Sequence, residues 1–433
     1  MVDSEFGKIE KRDAIYFIAL AIGSGLLFSF NVFHPVLRIL LIFVLLYQAY
    51  KDPFCCWGTY IITQRYIGLL FSSFISVAVF FILFLSFFIR NPYMIRKMRG
   101  APILLIGLPL IIISILVGKQ SNISTGVFMG IILLIILAIL NYSDLVSRDD
   151  TTKIAFAYCC GALSVAIYFV IAIVTHVNIL KYGRLNFYGD IKPIAFAAFI
   201  PLLLIVSSRL EGKKCFENID SKFLDSILVV IYSSMIILTA ARGMIFAGII
   251  ALLIQAVFSS NKLRAIWKLF PVVILVAVFI FMTIASNDLR VARIFDFQGS
   301  DFGSLNGRSF AWKEYLELFK EGSILRKLFG FGPGDSGRLI SLGLYTHSTY
   351  LDYLISYGIV GFITMVVYEI IASVKILKKK DIVLLIVLVF SIVAESTHGN
   401  SANFVLLSLH VFLVLCVVAN NKSDINALME NYK

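Results

Sequence analysis

Apolar runs near twenty residues recur along the chain, at 14–30, 36–50, 67–89, 101–117, 123–140 and 154–175 in the first half. The second half adds 193–207, 227–240, 244–258, 269–285, 354–374, 382–394 and 404–419. A helical crossing of a bilayer needs about 20 residues, so the shorter runs extend into their polar flanks. Outer-membrane barrels use alternating strands of roughly ten residues, and these runs are too long and too uniformly apolar for that. The pattern predicts an all-α polytopic membrane protein with about 12 transmembrane helices. No soluble domain or internal repeat is visible, so residues 1–433 are read as one integral membrane domain.

One stretch breaks the pattern. Residues 286–350 are largely polar and are expected to form a large external loop carrying part of the active site. Within it, Phe310, Trp312, Leu316 and Phe319 recur at helical spacing, and Gly322 is a suitable stop. This predicts an amphipathic helix over 309–320, lying on the membrane surface.

Composition agrees with the hydropathy. Sixty per cent hydrophobic residues against 15% charged, with mean hydropathy +0.93, lie far outside the soluble range. The net charge of +12 is spread through short loops, as membrane topology requires, so nucleic acid is not the expected partner. The lipid bilayer is. Basic clusters at Arg90–Arg99, Arg209–Lys222, Lys262–Lys268 and Lys375–Lys380 mark alternate loops as cytoplasmic. The N-terminus fits less well. Separate first and second spans place Met1 outside, whereas Lys8, Lys11 and Arg12 favour inside; either one of the first runs is re-entrant or 54–66 is not a simple loop.

Six cysteines, including the vicinal pairs Cys55-Cys56 and Cys159-Cys160, lack metal-site spacing and read as small apolar residues in or near helices. No metal, cofactor, nucleotide or serine-hydrolase motif is expected.

Three arginines run against the charge bias by lying in external elements. Arg184 sits in Tyr182-Gly-Arg-Leu-Asn-Phe-Tyr-Gly-Asp190, Arg242 in Thr239-Ala-Ala-Arg-Gly243, and Arg308 in Asn306-Gly-Arg-Ser-Phe-Ala-Trp312. Each could pair with an external acid such as Asp190, Asp296, Asp301 or Asp335. Alternatively their planar guanidinium forks hold a phosphate or diphosphate. Arg242 is the sharpest case, because a charge in a turn of almost no length between apolar runs is costly without an anionic partner. His347 precedes the amphipathic pattern Tyr350, Leu351, Leu354 and is either a helix cap or a base at the mouth of a membrane helix. Gly332 and Gly334 of Gly330-Phe-Gly-Pro-Gly334 allow tight turns and close backbone approach to a ligand.

Taken in order, Thr-Ala-Ala-Arg-Gly, Gly-Arg with its tryptophan, Gly-Phe-Gly-Pro-Gly, and His347-Ser-Thr-Tyr-Leu-Asp-Tyr-Leu followed by Gly358-Ile-Val-Gly361 resemble the O-antigen polymerase and O-antigen ligase superfamily. The resemblance covers Arg184 to Gly361. It implies glycosyl transfer on the periplasmic face of the inner membrane, from a polyprenyl-diphosphate-linked (undecaprenyl-type) oligosaccharide to an acceptor hydroxyl, inverting and metal-independent. His347 would be the general base. Arg242 and Arg308 would hold the diphosphate and stabilise its leaving charge, with Arg184 and Tyr350 as further substrate contacts. The usual Pro-Asn after the first arginine is absent here, where Lys192-Pro193-Ile194 stands instead. The motif letters favour the polymerase, partnered by a chain-length regulator protein, over a ligase that transfers the glycan to lipid A core. A lipid-linked oligosaccharide flippase is the different-class rival, disfavoured because the charges gather on one face and no repeat is visible.

Overall fold

In the computed structural model the described residues are 4–29, 35–70, 116, 146–175, 180–181, 184–185, 192–219, 222–239, 241–259, 308–332, 339–341, 343, 346–398, 409, 412–413, 415–416 and 419. They run β1 (Ser4–Phe6), α1 (Lys11–Ser29), α2 (Pro35–Lys51), α3 (Pro53–Leu70), α4 (Arg148–Val174), β2 (Leu180–Lys181) and β3 (Arg184–Leu185). Then come α5 (Lys192–Leu210), β4 (Lys214–Phe216), α6 (Lys222–Thr239), α7 (Arg242–Phe258), α8 (Arg308–Glu321), α9 (Ile324–Phe329), α10 (Thr349–Lys379) and α11 (Ile382–His398). The chain is mostly helical. Among the described residues, two helices, Arg148–Ala172 and Thr349–Lys379, are long and apolar enough to cross a membrane. The spans expected at 101–117, 123–140 and 269–285 lie outside the described residues, apart from the single position 116.

The first seventy residues differ from the hydropathy reading. The stretch expected to connect two spans is itself a helix, α3, because Asp52 caps it. One Asp52 carboxylate oxygen accepts from the backbone N–H groups of Phe54 and Cys55 at 3.0 and 3.2 Å, and Pro53 takes the first helical position, where no N–H is needed. This helix packs against α1 and α4 rather than facing lipid, with Trp57, Thr59, Tyr60 and Thr63 all buried. A helix enclosed by protein can afford polar residues: Thr59 meets the Tyr16 hydroxyl at 3.0 Å. At the opposite contact, Ser24 of α1 meets Ser164 of α4 at 2.8 Å.

One end of the bundle gathers the chain's separate thirds. Strand β1 pairs in parallel with β4, and Arg148 donates to the Ser4 and Glu5 carbonyls at 2.6 and 2.9 Å. Lys213 reaches Glu5 at 2.9 Å, and Lys379 donates to the Ala419 carbonyl at 3.1 Å. Lys153 bridges Asp13 of α1 and Asp52 at the α2–α3 junction at 3.3 and 2.5 Å. The N-terminal strand therefore shares an end with the basic loops after α5 and α10, as the early lysines favoured.

Helix α10 is two helices in sequence. Gly358 has φ 69° and ψ −168°, a left-handed backbone that breaks the ladder. The break is filled by the Gly330-Phe-Gly turn that follows α9. Phe331 N–H donates to the Ile355 carbonyl at 2.7 Å and Gly332 N–H to that of Ser356 at 3.1 Å, satisfying acceptors the break would orphan. A Cβ on Gly330 would lie 2.3 Å from Ser356 backbone atoms, and one on Gly358 would lie 2.3 Å from the Leu328 carbonyl oxygen. Beyond the break, Ile359–Lys379 is long enough for one crossing, about 31 Å.

Candidate active site at the histidine end

Helix α8 forms where the amphipathic pattern predicts one, but its inner face differs. Ala311 and Tyr315 are fully buried with Phe331 and Ile355, and Leu318 and Phe319 pack around them. Phe310 and Leu316, expected on the apolar side, are exposed. The tie to the histidine comes from Trp312, whose indole N–H donates to the Thr346 carbonyl at 2.6 Å. Arg308 lies one turn before Trp312 on the same face of α8. It is half-buried, and burial pulls its pKa below the usual arginine value while leaving it charged. The structure thus ties the helix that carries Arg308 to the His347 turn, through Trp312 and Thr346.

His347 adopts φ 50°, a left-handed conformation rare for residues with a side chain. Its neighbours hold it there. On one side Thr346 is fully buried, its carbonyl taken by Trp312 and its hydroxyl 3.4 Å from Asp352. On the other, Ser348 caps α10 by accepting from Leu351 N–H at 3.4 Å. Strained backbone of this kind costs about 1–3 kcal/mol and persists where surrounding contacts over-determine it. His347 is partly exposed, so the ring remains reachable.

Arg242, expected in a turn, is the first residue of α7, with buried Ala241 as its N-cap. Helix α7, which Arg242 opens, packs on α11. Arg184 lies in β3, which pairs with β2 and rests against α6, the helix ending three residues before Arg242. Gly332 is spent on the α10 break, so its close approach is to protein backbone; Gly334 lies outside the described residues.

Tyr350, expected to contact substrate, gives its hydroxyl to Glu369, at 2.7 and 2.8 Å from the two carboxylate oxygens. Glu369 and Glu395 are the residues that the sequence reading passed over. Both are buried, and Glu395, placed by hydropathy in a loop, belongs to α11 and accepts from the Ser391 hydroxyl at 2.6 Å. The signal was present, since an acid inside an apolar run marks a functional site by default.

Residues 227–366 match the family model described as O-antigen ligase. The chain belongs to the O-antigen ligase/polymerase superfamily. The match runs from α6 into α10 and takes in Arg242, Arg308, His347 and Tyr350, whereas Arg184, Glu369 and Glu395 fall outside it. Members of the superfamily are membrane enzymes of the glycosyltransferase kind, and the apolar helices accord with a membrane protein. A comparison with curated proteins gives no match.

Proposed function

We propose that this superfamily member is a surface-polysaccharide polymerase. It transfers a growing polyprenyl-diphosphate-linked glycan onto a lipid-linked repeat unit, at the periplasmic face of the inner membrane, with inversion and without a metal. His347 takes the proton of the acceptor hydroxyl as that oxygen bonds to the anomeric carbon. The bond from that carbon to the diphosphate oxygen breaks, and polyprenyl diphosphate leaves with the electron pair. Arg308 and Arg242 stabilise the charge that accumulates on it, and Arg184 supports the donor from the β2–β3 hairpin.

The observation that carries this reading is the Trp312–Thr346 hydrogen bond, which joins the arginine-bearing face of α8 to the histidine turn. A base and an anion-binding fork on one rigid contact are what an inverting transfer from a phosphate leaving group requires. The basic loops share an end with β1, which supports reading the histidine end as periplasmic. We keep about twelve crossings, an even number that holds the N-terminus cytoplasmic.

The matched family's description, O-antigen ligase, supports the ligase as the second reading. One experiment separates them: purified protein is incubated with its lipid-diphosphate-linked repeat unit alone, wild type beside His347→Ala, and products are resolved by length. A ladder from wild type only is the expected result. No ladder without lipid A core, and a single transfer with it, means ligase.

A further inference from the structure

Tyr350 lies eight residues before Gly358 and Glu369 eleven after it. In a straight helix their Cα atoms would be about 28 Å apart. Their side chains nevertheless meet at 2.7 and 2.8 Å. With legs of about 12 and 16 Å, the two parts of α10 must fold back on each other at an acute angle. The His347 turn therefore sits beside the middle of Ile359–Lys379 instead of above it.

The two ends of the folded-back segment are held differently. Near Gly358 it is clamped by backbone, through Phe331 and Gly332. The far end, eleven residues or about 16 Å away, depends on side chains: Trp312 to Thr346, and Tyr350 to Glu369. A pivot of roughly 5° about Gly358 moves His347 by over 1 Å, and a misplacement of about 1 Å can cost a hundredfold in rate. A hydrogen bond to a carboxylate, in a water-poor interior, is the strong kind suited to stopping that pivot.

We propose that Glu369 is a positioning residue, which fixes the depth and aim of His347 through Tyr350. The inference rests on the transferase reading, because the base of that reaction is what it positions. It also withdraws Tyr350 from the donor-binding set.

The test has an activity arm and a geometric arm. With the lipid-diphosphate-linked repeat unit as substrate, Tyr350→Phe and Glu369→Leu are each expected to lower kcat about tenfold to a hundredfold, with KM changed by less than about threefold. Glu369→Gln, which keeps an acceptor oxygen, should retain at least about a third of wild-type kcat. The Tyr350→Phe/Glu369→Leu double variant should lose no more than either single, because both remove one tie. Losses that multiply in the double, or singles within about threefold of wild type, overturn the proposal. Independently of activity, a short bismaleimide should link cysteines substituted at 350 and 369, read by mass spectrometry. Failure to link overturns the fold-back and the proposal with it. If the wild type is inactive while the cysteine pair still links, the transferase reading is refuted and the geometry stands, and a positioning role for Glu369 then goes too.

Discussion

At the scale of single residues, diphosphate binding turns on geometry that arginine has and lysine lacks. If Arg308 and Arg242 hold a diphosphate, a planar fork must match paired oxygens, and a point ammonium cannot. Arg308→Lys and Arg242→Lys are each expected to lose at least about tenfold in kcat while reaching the membrane at wild-type abundance. Near-wild-type rates in either variant would return that arginine to pairing with an acid of the protein. The letters at these positions and at His347 were legible in the sequence, because positive charge outside and a histidine ahead of an amphipathic pattern are both anomalies against a membrane background. The partners were not. Nothing in the spacing of Trp312 and Thr346 shows that one donates to the other, and Tyr350 reads as a substrate contact until Glu369 is seen to accept from it.

At the scale of elements, the Gly330-Phe-Gly turn and the Gly358 break form one joint. Sequence reading identified glycines for close approach and assigned the approach to a ligand; the structure gives it to the backbone of α10. Gly358→Ala places a Cβ 2.3 Å from the Leu328 carbonyl oxygen, at a φ of 69°. Gly343 separates the two costs, since it has φ 62° with nothing within 4 Å of a Cβ. Gly343→Ala should cost only the left-handed penalty, about 1–2 kcal/mol, whereas Gly358→Ala should cost about 3 kcal/mol or more. Thermal unfolding in detergent measures both, and equal losses would mean that the joint yields without strain. The same scale explains why α3 was missed. Hydropathy detects helices that face lipid, and residues 53–63 of α3 are buried in protein, where Thr59 and Thr63 are accommodated by hydrogen bonds to the carbonyls one turn back. On α8 the apolar pattern divides: Phe310 and Leu316 are exposed, whereas Phe319 packs with Ala311 and Tyr315 against protein.

At the scale of the whole molecule, the N-terminal strand is a test of both topology and linkage. If the end bearing β1 and β4 is cytoplasmic, an impermeant thiol reagent applied to intact cells should label Gly303→Cys and spare Ser4→Cys; the reverse pattern would invert the assignment. The same end holds a titrating contact. Asp381, in the short link between α10 and α11, caps α11 by accepting from Leu384 N–H at 3.0 Å and also lies against Glu5 of β1. Burial first, and then Glu5, push its carboxyl up to about 7, although Lys213 opposes the rise. A carboxyl whose pKa is raised on folding binds a proton in the folded state that the unfolded state has already released. Its stabilising contribution is therefore complete below the ordinary carboxylate value and is lost as pH rises through about 7. Since Glu5 belongs to β1 and Asp381 to the α10–α11 link, the loss should appear as loosening of the strand, not as global unfolding. Protease nicking before residue 11 in inverted membrane vesicles should be faster at about pH 8 than at about pH 6. Asp381→Asn, which cannot ionise, should keep the slow rate at both. Equal nicking of wild type at the two pH values would show that the Glu5–Asp381 contact does not govern how the strand is held.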